Sequence, residues 1–119
     1  MFKILLTTLL VWGLHQKGLA QISTSTATVN IPPSHTTDAK QMAAFIQQNY
    51  ATDTARIRAI YSWITHNIQY DIASFNARNT TQQTAPQTVQ DVLKTRKAVC
   101  QGYADLFIDL CKAVGIKAH

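Results

Sequence analysis

Apolar residues recur along this chain with the period of an α-helix in four places. The run Ala39-Lys40-Gln41-Met42-Ala43-Ala44-Phe45-Ile46 follows Asp38, a good N-cap, and Met42, Phe45, Ile46 and Tyr50 form one stripe. A second start, at Asp53 or Thr54, opens the strongest pattern. Ile57, Ile60, Tyr61, Ile64 and Ile68 follow i, i+3, i+4, i+7 and i+11, with Trp63 flanking the stripe and Arg56 and Arg58 opposite it. That helix is expected to end near Gln69. Thr88 caps a short third helix, Val89 to Thr95, with Asp91 placed to approximate a capping box. The fourth opens at Cys100 or Gln101 and runs to about Val114. Cys100, Ala104, Phe107, Cys111 and Val114 share its face, Tyr103, Leu106 and Leu110 widen it, and Gly115 is its terminator.

The remaining stretches lack that period. Tyr70 to Gln87 is rich in Asn, Thr and Gln, contains Pro86, and reads as a long surface loop of the kind that borders sites. Lys94 to Ala98 reads as a basic connector. Ile116-Lys117-Ala118 alternates like the first residues of a β-strand, before the sequence stops at His119. There are no internal repeats.

The N-terminal pattern is of another kind. Lys3 precedes an eleven-residue run from Ile4 to Leu14 that only Thr7, Thr8 and Gly13 interrupt, and Gly18-Leu19-Ala20 puts small residues where a signal peptidase reads. A spanning helix needs roughly 20 apolar residues, so residues 1–20 are read as a signal peptide cleaved before Gln21. No Cys follows the cleavage position to carry a lipid. The expectation is a secreted or periplasmic protein without a stable membrane anchor. Residues 21–37, rich in Ser and Thr with Pro32-Pro33, read as a disordered linker, which leaves 38–119 as the folded domain.

Charge narrows the partners. The chain has 11 Lys and Arg against 6 acidic residues, all Asp, and removal of Lys3 and Lys17 with the leader lowers the net charge from +5 to +3. Only Lys94, Arg96 and Lys97 cluster, and a solvated helix end accounts for them better than a nucleic-acid surface, which needs many phosphate contacts. His35, His66, His119 and the cysteines show no metal-ligand spacing, so no metal and no other cofactor is expected.

Two cysteines in an exported protein invite a disulfide. If Cys100 and Cys111 share one helix they lie roughly 16 Å apart along its axis, whereas a disulfide needs Cα atoms within about 7 Å. They are read as separate thiols, Cys111 in the core. Cys100 heads its helix, where unpaired N–H groups and the macrodipole favour a thiolate. The same N–H groups would stabilise an oxyanion, and Gly102, beside Gln101, would let a substrate approach the backbone. A buried thiol that merely begins an apolar stripe explains the position equally simply. Trp63, Tyr61 and Tyr70 read as core before substrate platform, His66 as a surface or partly buried histidine, and Asp71 as a partner for loop N–H groups.

Two longer motifs bear on that choice. Ile60-Tyr61-Ser62-Trp63-Ile64-Thr65-His66-Asn67-Ile68-Gln69-Tyr70-Asp71, followed by Val92-Leu93-Lys94-Thr95-Arg96-Lys97-Ala98-Val99-Cys100-Gln101-Gly102-Tyr103-Ala104-Asp105-Leu106-Phe107 and Gly115-Ile116, resembles the transglutaminase-like superfamily from about Asp38 to His119. The resemblance implies an α+β, papain-like fold in which helices pack on an antiparallel sheet. This chain would cover mainly the helical N-terminal part, about four helices and the start of the first strand. It further implies Cys100 as a nucleophile toward peptide or glutamine-side-chain amides. Gln101, Gly102 and Trp63 would lie beside the substrate, and water or an amine would resolve the thioester. Ala98 stands where the family usually has glycine. The family's His and Asp fall on later strands, beyond His119, so the domain is read as truncated and inactive as it stands. His119 itself would lie about 20 Å from Cys100, too far to serve as base. A non-catalytic binding or scaffolding module with the same fold is the alternative, and a small self-sufficient helical protein a third.

Overall fold

The computed structural model describes residues 29–80 and 85–118. The expected signal peptide, the start of the linker and His119 lie outside the described residues. Among the described residues five α-helices form: α1 (Ala39–Asn49), α2 (Asp53–Asn67), α3 (Ile72–Asn79), α4 (Val89–Thr95) and α5 (Cys100–Ala113). Two short strands, β1 (Gln69–Tyr70) and β2 (Lys97–Ala98), pair in parallel, Gln69 opposite Lys97 and Tyr70 opposite Ala98.

Local chemistry sets the helix starts. Asp38 accepts from the Lys40 N–H, and Thr88 and Asp91 form a complete capping box. Helix α2 is capped by Thr52, one residue earlier than expected, because its hydroxyl reaches the Ala55 N–H and leaves Asp53 to the first turn. It ends at Asn67, short of Gln69, because Ile68 turns extended to lead into β1. Helix α5 closes as a Schellman motif. Ile116 N–H donates to the Cys111 carbonyl at 2.9 Å, Gly115 N–H to that of Lys112 at 3.0 Å, and Gly115 takes φ 87°.

The core lies where α1, α2 and α4 meet α5. Met42, Ile46, Ile60, Leu93, Leu106 and Leu110 are fully buried there. Helix α2 is rotated from the expected stripe. Ala59, Ile60, Trp63 and Ile64 face inward, while Ile57 and Tyr61 are 37% and 63% exposed. Turning Trp63 inward buries the largest apolar side chain of the helix, which outweighs the isoleucine and the amphipathic tyrosine left outside.

Four further expectations are corrected. Tyr70 to Gln87 is not a bare loop, since it begins in β1 and contains α3. A two-residue strand is too short to show alternation, and α3 buries no residue, so its Ile72 and Phe75 make no inward stripe. The sheet is parallel, with the α3 and α4 segment as its crossover. Ile116 to Ala118 form no strand among the described residues, where no neighbour supplies the partner a ladder requires. Order also begins before Asp38: Ile31 and Thr36 are buried and Pro33–His35 make a 3-10 turn. Pro32 and Pro33 restrict the backbone there, and Arg96 holds the segment by Nη2 donations to the Thr36 carbonyl at 3.2 Å and hydroxyl at 2.8 Å.

Arg96 thereby departs from a solvated helix end. It ends α4 in the left-handed region, at φ 57°, and stacks its guanidinium 4.8 Å from the Trp63 ring. Burial lowers its pKa.

Candidate active site

One residue separates β2 from α5, so strand pairing dictates where Cys100 stands. Gln69 N–H donates to the Arg96 carbonyl at 2.8 Å and Asp71 N–H to that of Ala98 at 2.9 Å, which fastens β2 beside the end of α2. Val99 follows, buried, with its N–H bound at 3.1 Å by the Gln87 side-chain oxygen. Cys100 is the first residue of α5 and is exposed. The helical ladder begins with Tyr103 N–H donating to the Val99 carbonyl, so the N–H groups of Cys100, Gln101 and Gly102 stand outside it.

The Cys100 thiol opens on a cavity of about 690 Å³ between α2 and α5. Tyr61, Ile64 and Thr65 form one wall, Tyr103, Ala104 and Phe107 the other, and Tyr70 of β1 closes an end. The lining is almost wholly apolar. Tyr103 ties the walls together, its hydroxyl donating to the Ile68 carbonyl at 2.7 Å. Burial pushes the Tyr103 phenol up, and neighbouring Tyr70 adds to this. Tyr70 stacks on Tyr103 with centroids 6.4 Å apart and leans on Phe75 at 6.0 Å.

The other residues singled out from sequence are not brought to this cavity. Gln101 is exposed and donates along the helix surface to Asp105 Oδ1 at 2.8 Å. Gly102 is buried and does not line the cavity. A Cβ there would lie 3.0 Å from Ala98 Cβ, 3.0 Å from Gln87 Oε1 and 3.2 Å from Val92 Cγ2, so glycine serves packing against β2 and α4. Trp63 is 2% exposed beneath Arg96 and is a core residue. His66 is exposed, its Nδ1 2.7 Å from the Ser62 carbonyl, and it does not line the cavity. Asp71 satisfies a backbone donor, as expected, by capping α3. It accepts from the Ser74 N–H at 3.0 Å, the Ser74 hydroxyl at 2.7 Å and Gln87 Nε2 at 3.3 Å. The Ser74 bonds hold its carboxyl below the usual range.

The two thiols are free and their surroundings differ. Cys111 is core, and burial pushes its thiol up, which favours the unreactive protonated form. The exposure of Cys100 removes the buried-stripe explanation for that residue. An exposed thiol, open N–H donors and an adjoining apolar cavity fit attack on a carbonyl group.

Residues 40–119 match the sequence profile of the transglutaminase-like superfamily. The chain belongs to this superfamily. Among curated proteins, kyphoscoliosis peptidase of Homo sapiens is 39% identical over 77 residues, which cover 65% of this chain and 11% of that protein. Kyphoscoliosis peptidase of Mus musculus is 35% identical over 77 residues, with the same coverage of 65% and 11%. The chain thus spans about a tenth of the length of these relatives. No solved structure matches it significantly. Within the transglutaminase-like domain, Tyr103 was within reach of sequence reasoning, three residues after Cys100 on the apolar stripe. Gln87 carried no such signal: nothing in an Asn, Thr and Gln-rich stretch marks its amide as one that reaches Val99 and Asp71.

Proposed function

We propose that this protein is an exported cysteine enzyme that attacks peptide or glutamine-side-chain amides with the Cys100 thiolate. Sulfur adds to the amide carbonyl, and the N–H groups at the start of α5 stabilise the oxyanion. The amine leaves with a proton and a thioester remains. Water then gives hydrolysis, or an amine gives transamidation. The base that moves these protons and the acid that orients it are assigned to a His and an Asp on chain beyond His119. The carrying observation is the exposed Cys100 at a helix start on an apolar cavity, within the segment that matches the superfamily. The word peptidase in the relatives' name favours hydrolysis over transamidation. Residues 1–20 support export, with cleavage before Gln21, and residues 38–119 are assigned to the catalytic domain.

The test is amide turnover by the protein expressed from its whole reading frame, with Cys100→Ala alongside. Loss of the nucleophile is expected to lower kcat by about 10⁴- to 10⁶-fold. A Cys100→Ala variant that cleaves or crosslinks peptides at the wild-type rate overturns the reading. The alternative, a binding or scaffolding module, is favoured by the exposed Tyr61 and Tyr70 that line the cavity and by Phe75, also exposed, against Tyr70. It predicts peptide binding that survives Cys100→Ala, with no turnover by either protein.

A further inference from the structure

Helices α1 to α4 are each capped by a side chain, that of Asp38, Thr52, Asp71 and Thr88 in turn, which accepts a hydrogen bond from a backbone N–H of the first turn. Among the described residues α5 alone differs, since its N-cap is Val99 and no side-chain cap bond is made. Helix starts without a cap fray, at a cost of about 1 kcal/mol. Yet this is the start that must hold Cys100 in one place.

The bond to Val99 N–H supplies the missing restraint. In a capping box the residue at the third helical position, usually Glu or Gln, reaches back to the N–H of the cap. The third position of α5 is Gly102, which has no side chain to do so. The space its Cβ would occupy is taken by Gln87, whose Oε1 lies 3.0 Å from that point and accepts from Val99 N–H at 3.1 Å. The amide is oriented from its other end. Its Nε2 donates at 3.3 Å to Asp71 Oδ2, and an ionised carboxylate only accepts, so the nitrogen must face Asp71 and the oxygen must face Val99. Asp71 is in turn fixed by Ser74 and by its own N–H bond to Ala98.

We propose that Gln87 is a positioning residue for Cys100, completing half of a capping box for α5 from a distant point in the chain. The half that is absent matters as much. A Ser, Thr or Asp cap would accept from the N–H groups of Gln101 or Gly102. Val99 accepts with no side chain, so the helix start is held while its donors stay available to a thiolate or an oxyanion. This role rests on the amide chemistry proposed above, but the geometry it predicts can be tested without turnover.

The variant is Gln87→Met, of similar length and without hydrogen bonds, in the protein from its whole reading frame. Alkylation by iodoacetamide reads Cys100 directly, and protection of Cys111 in the same sample reports that the domain is folded. The Cys100 rate at neutral pH is expected to fall roughly two- to fivefold as the first turn loosens. Where amides are turned over, kcat is expected to fall about 10- to 10²-fold with little change in KM. Adding Val99→Thr, which caps the helix conventionally, should restore thermal stability and Cys111 protection but not kcat or the Cys100 rate. It also serves if Gln87→Met alone unfolds. A folded Gln87→Met protein whose Cys100 reacts within twofold of wild type overturns the proposal. So does restoration of both stability and Cys100 reactivity by Val99→Thr, which would make Gln87 merely structural. Absence of amide turnover in the wild type would count against the enzymatic reading alone, since the alkylation result would still decide the role of Gln87.

Discussion

The two ends of α5 carry the same side chain in opposite surroundings. At the C-terminal end Cys111 is 1% exposed among Leu106, Leu110 and Val114, and the last carbonyls are satisfied by Gly115 and Ile116. At the N-terminal end Cys100 is exposed and lines an apolar cavity, and the N–H groups of the first three residues stand outside the helical ladder. The chain finishes one end of the helix with its own bonds and leaves donors open at the other. The contrast locates any chemistry in helix termination: residue type and helix are common to both thiols, while free donors and access are not.

The comparison breaks most severely if the closed end is opened. Leu110→Ala removes a fully buried side chain from the contact of α5 with its neighbours and is expected to cost about 2–5 kcal/mol, read as a lower urea midpoint. It should also speed alkylation of Cys111 while leaving Cys100, at the far end, near its wild-type rate. In the unaltered protein the two thiols should differ by about 10²-fold in rate or more, because Cys111 reacts only through local opening that costs on the order of 3 kcal/mol. Mass-resolved labelling after partial reaction checks this. Equal labelling of both in the folded protein would erase the distinction.

Gly102→Ala probes the packing beneath the open end. Alanine in a helix normally gains up to about 1 kcal/mol over glycine. Here the added carbon meets Ala98 Cβ at 3.0 Å, and that atom has no torsion through which to retreat. A net loss of about 1–3 kcal/mol in chemical unfolding is expected. A gain would show that β2 yields and that Gly102 is not a packing requirement.

The same contrast between closed and open regions explains what was legible. The closed parts follow local rules: Asp38, Thr88 with Asp91, and Gly115 mark α1, α4 and the end of α5 through bonds made within a few residues. Cys100 was legible for the same reason, as a thiol at a helix start. The structure around it depends on long-range contacts. Gln87 meets partners 12 and 16 residues away, and Arg96 meets Thr36 across 60 residues. No local period encodes such pairs. Helix α2 shows the same limit, since its period was correct but the rotation that buries Trp63 was decided by its neighbours. The packing of Gly102 against β2 and α4 and of Trp63 beneath Arg96 is likewise set by neighbours that no local pattern names.

Smaller effects test how the walls of the cavity are joined. Tyr103→Phe removes the donor to the Ile68 carbonyl and is expected to cost about 0.5–1.5 kcal/mol. Burial, with Tyr70 adding, raises the Tyr103 pKa, so the fold favours the neutral phenol. That contribution is complete below the unfolded phenol pKa of about 10 and is lost as pH rises through the higher folded value. Stability measured from neutral to alkaline pH should therefore fall less steeply for Tyr103→Phe than for wild type. Parallel curves would mean that the phenol is not held neutral by the fold.

At the acid side the smallest expected change belongs to Asp71, which stands on the surface and links α3 to Gln87. Its pKa is lowered, first by the Ser74 hydroxyl and N–H, against a smaller opposing effect of burial, so the fold favours the carboxylate. The linked stability is present above the unfolded value of about 3.9 and disappears as pH falls through the lower folded one. Asp71→Asn should flatten the acid limb of the stability curve between those values and leave the neutral region little changed. If Gln87 is oriented by this carboxylate, the same variant should also slow alkylation of Cys100 at neutral pH, by less than Gln87→Met does. Asparagine offers an acceptor oxygen but can rotate its own amide, so the restraint on Gln87 is weakened and not removed. A slowing equal to that of Gln87→Met would move the origin of the restraint from the Val99 bond to Asp71 itself.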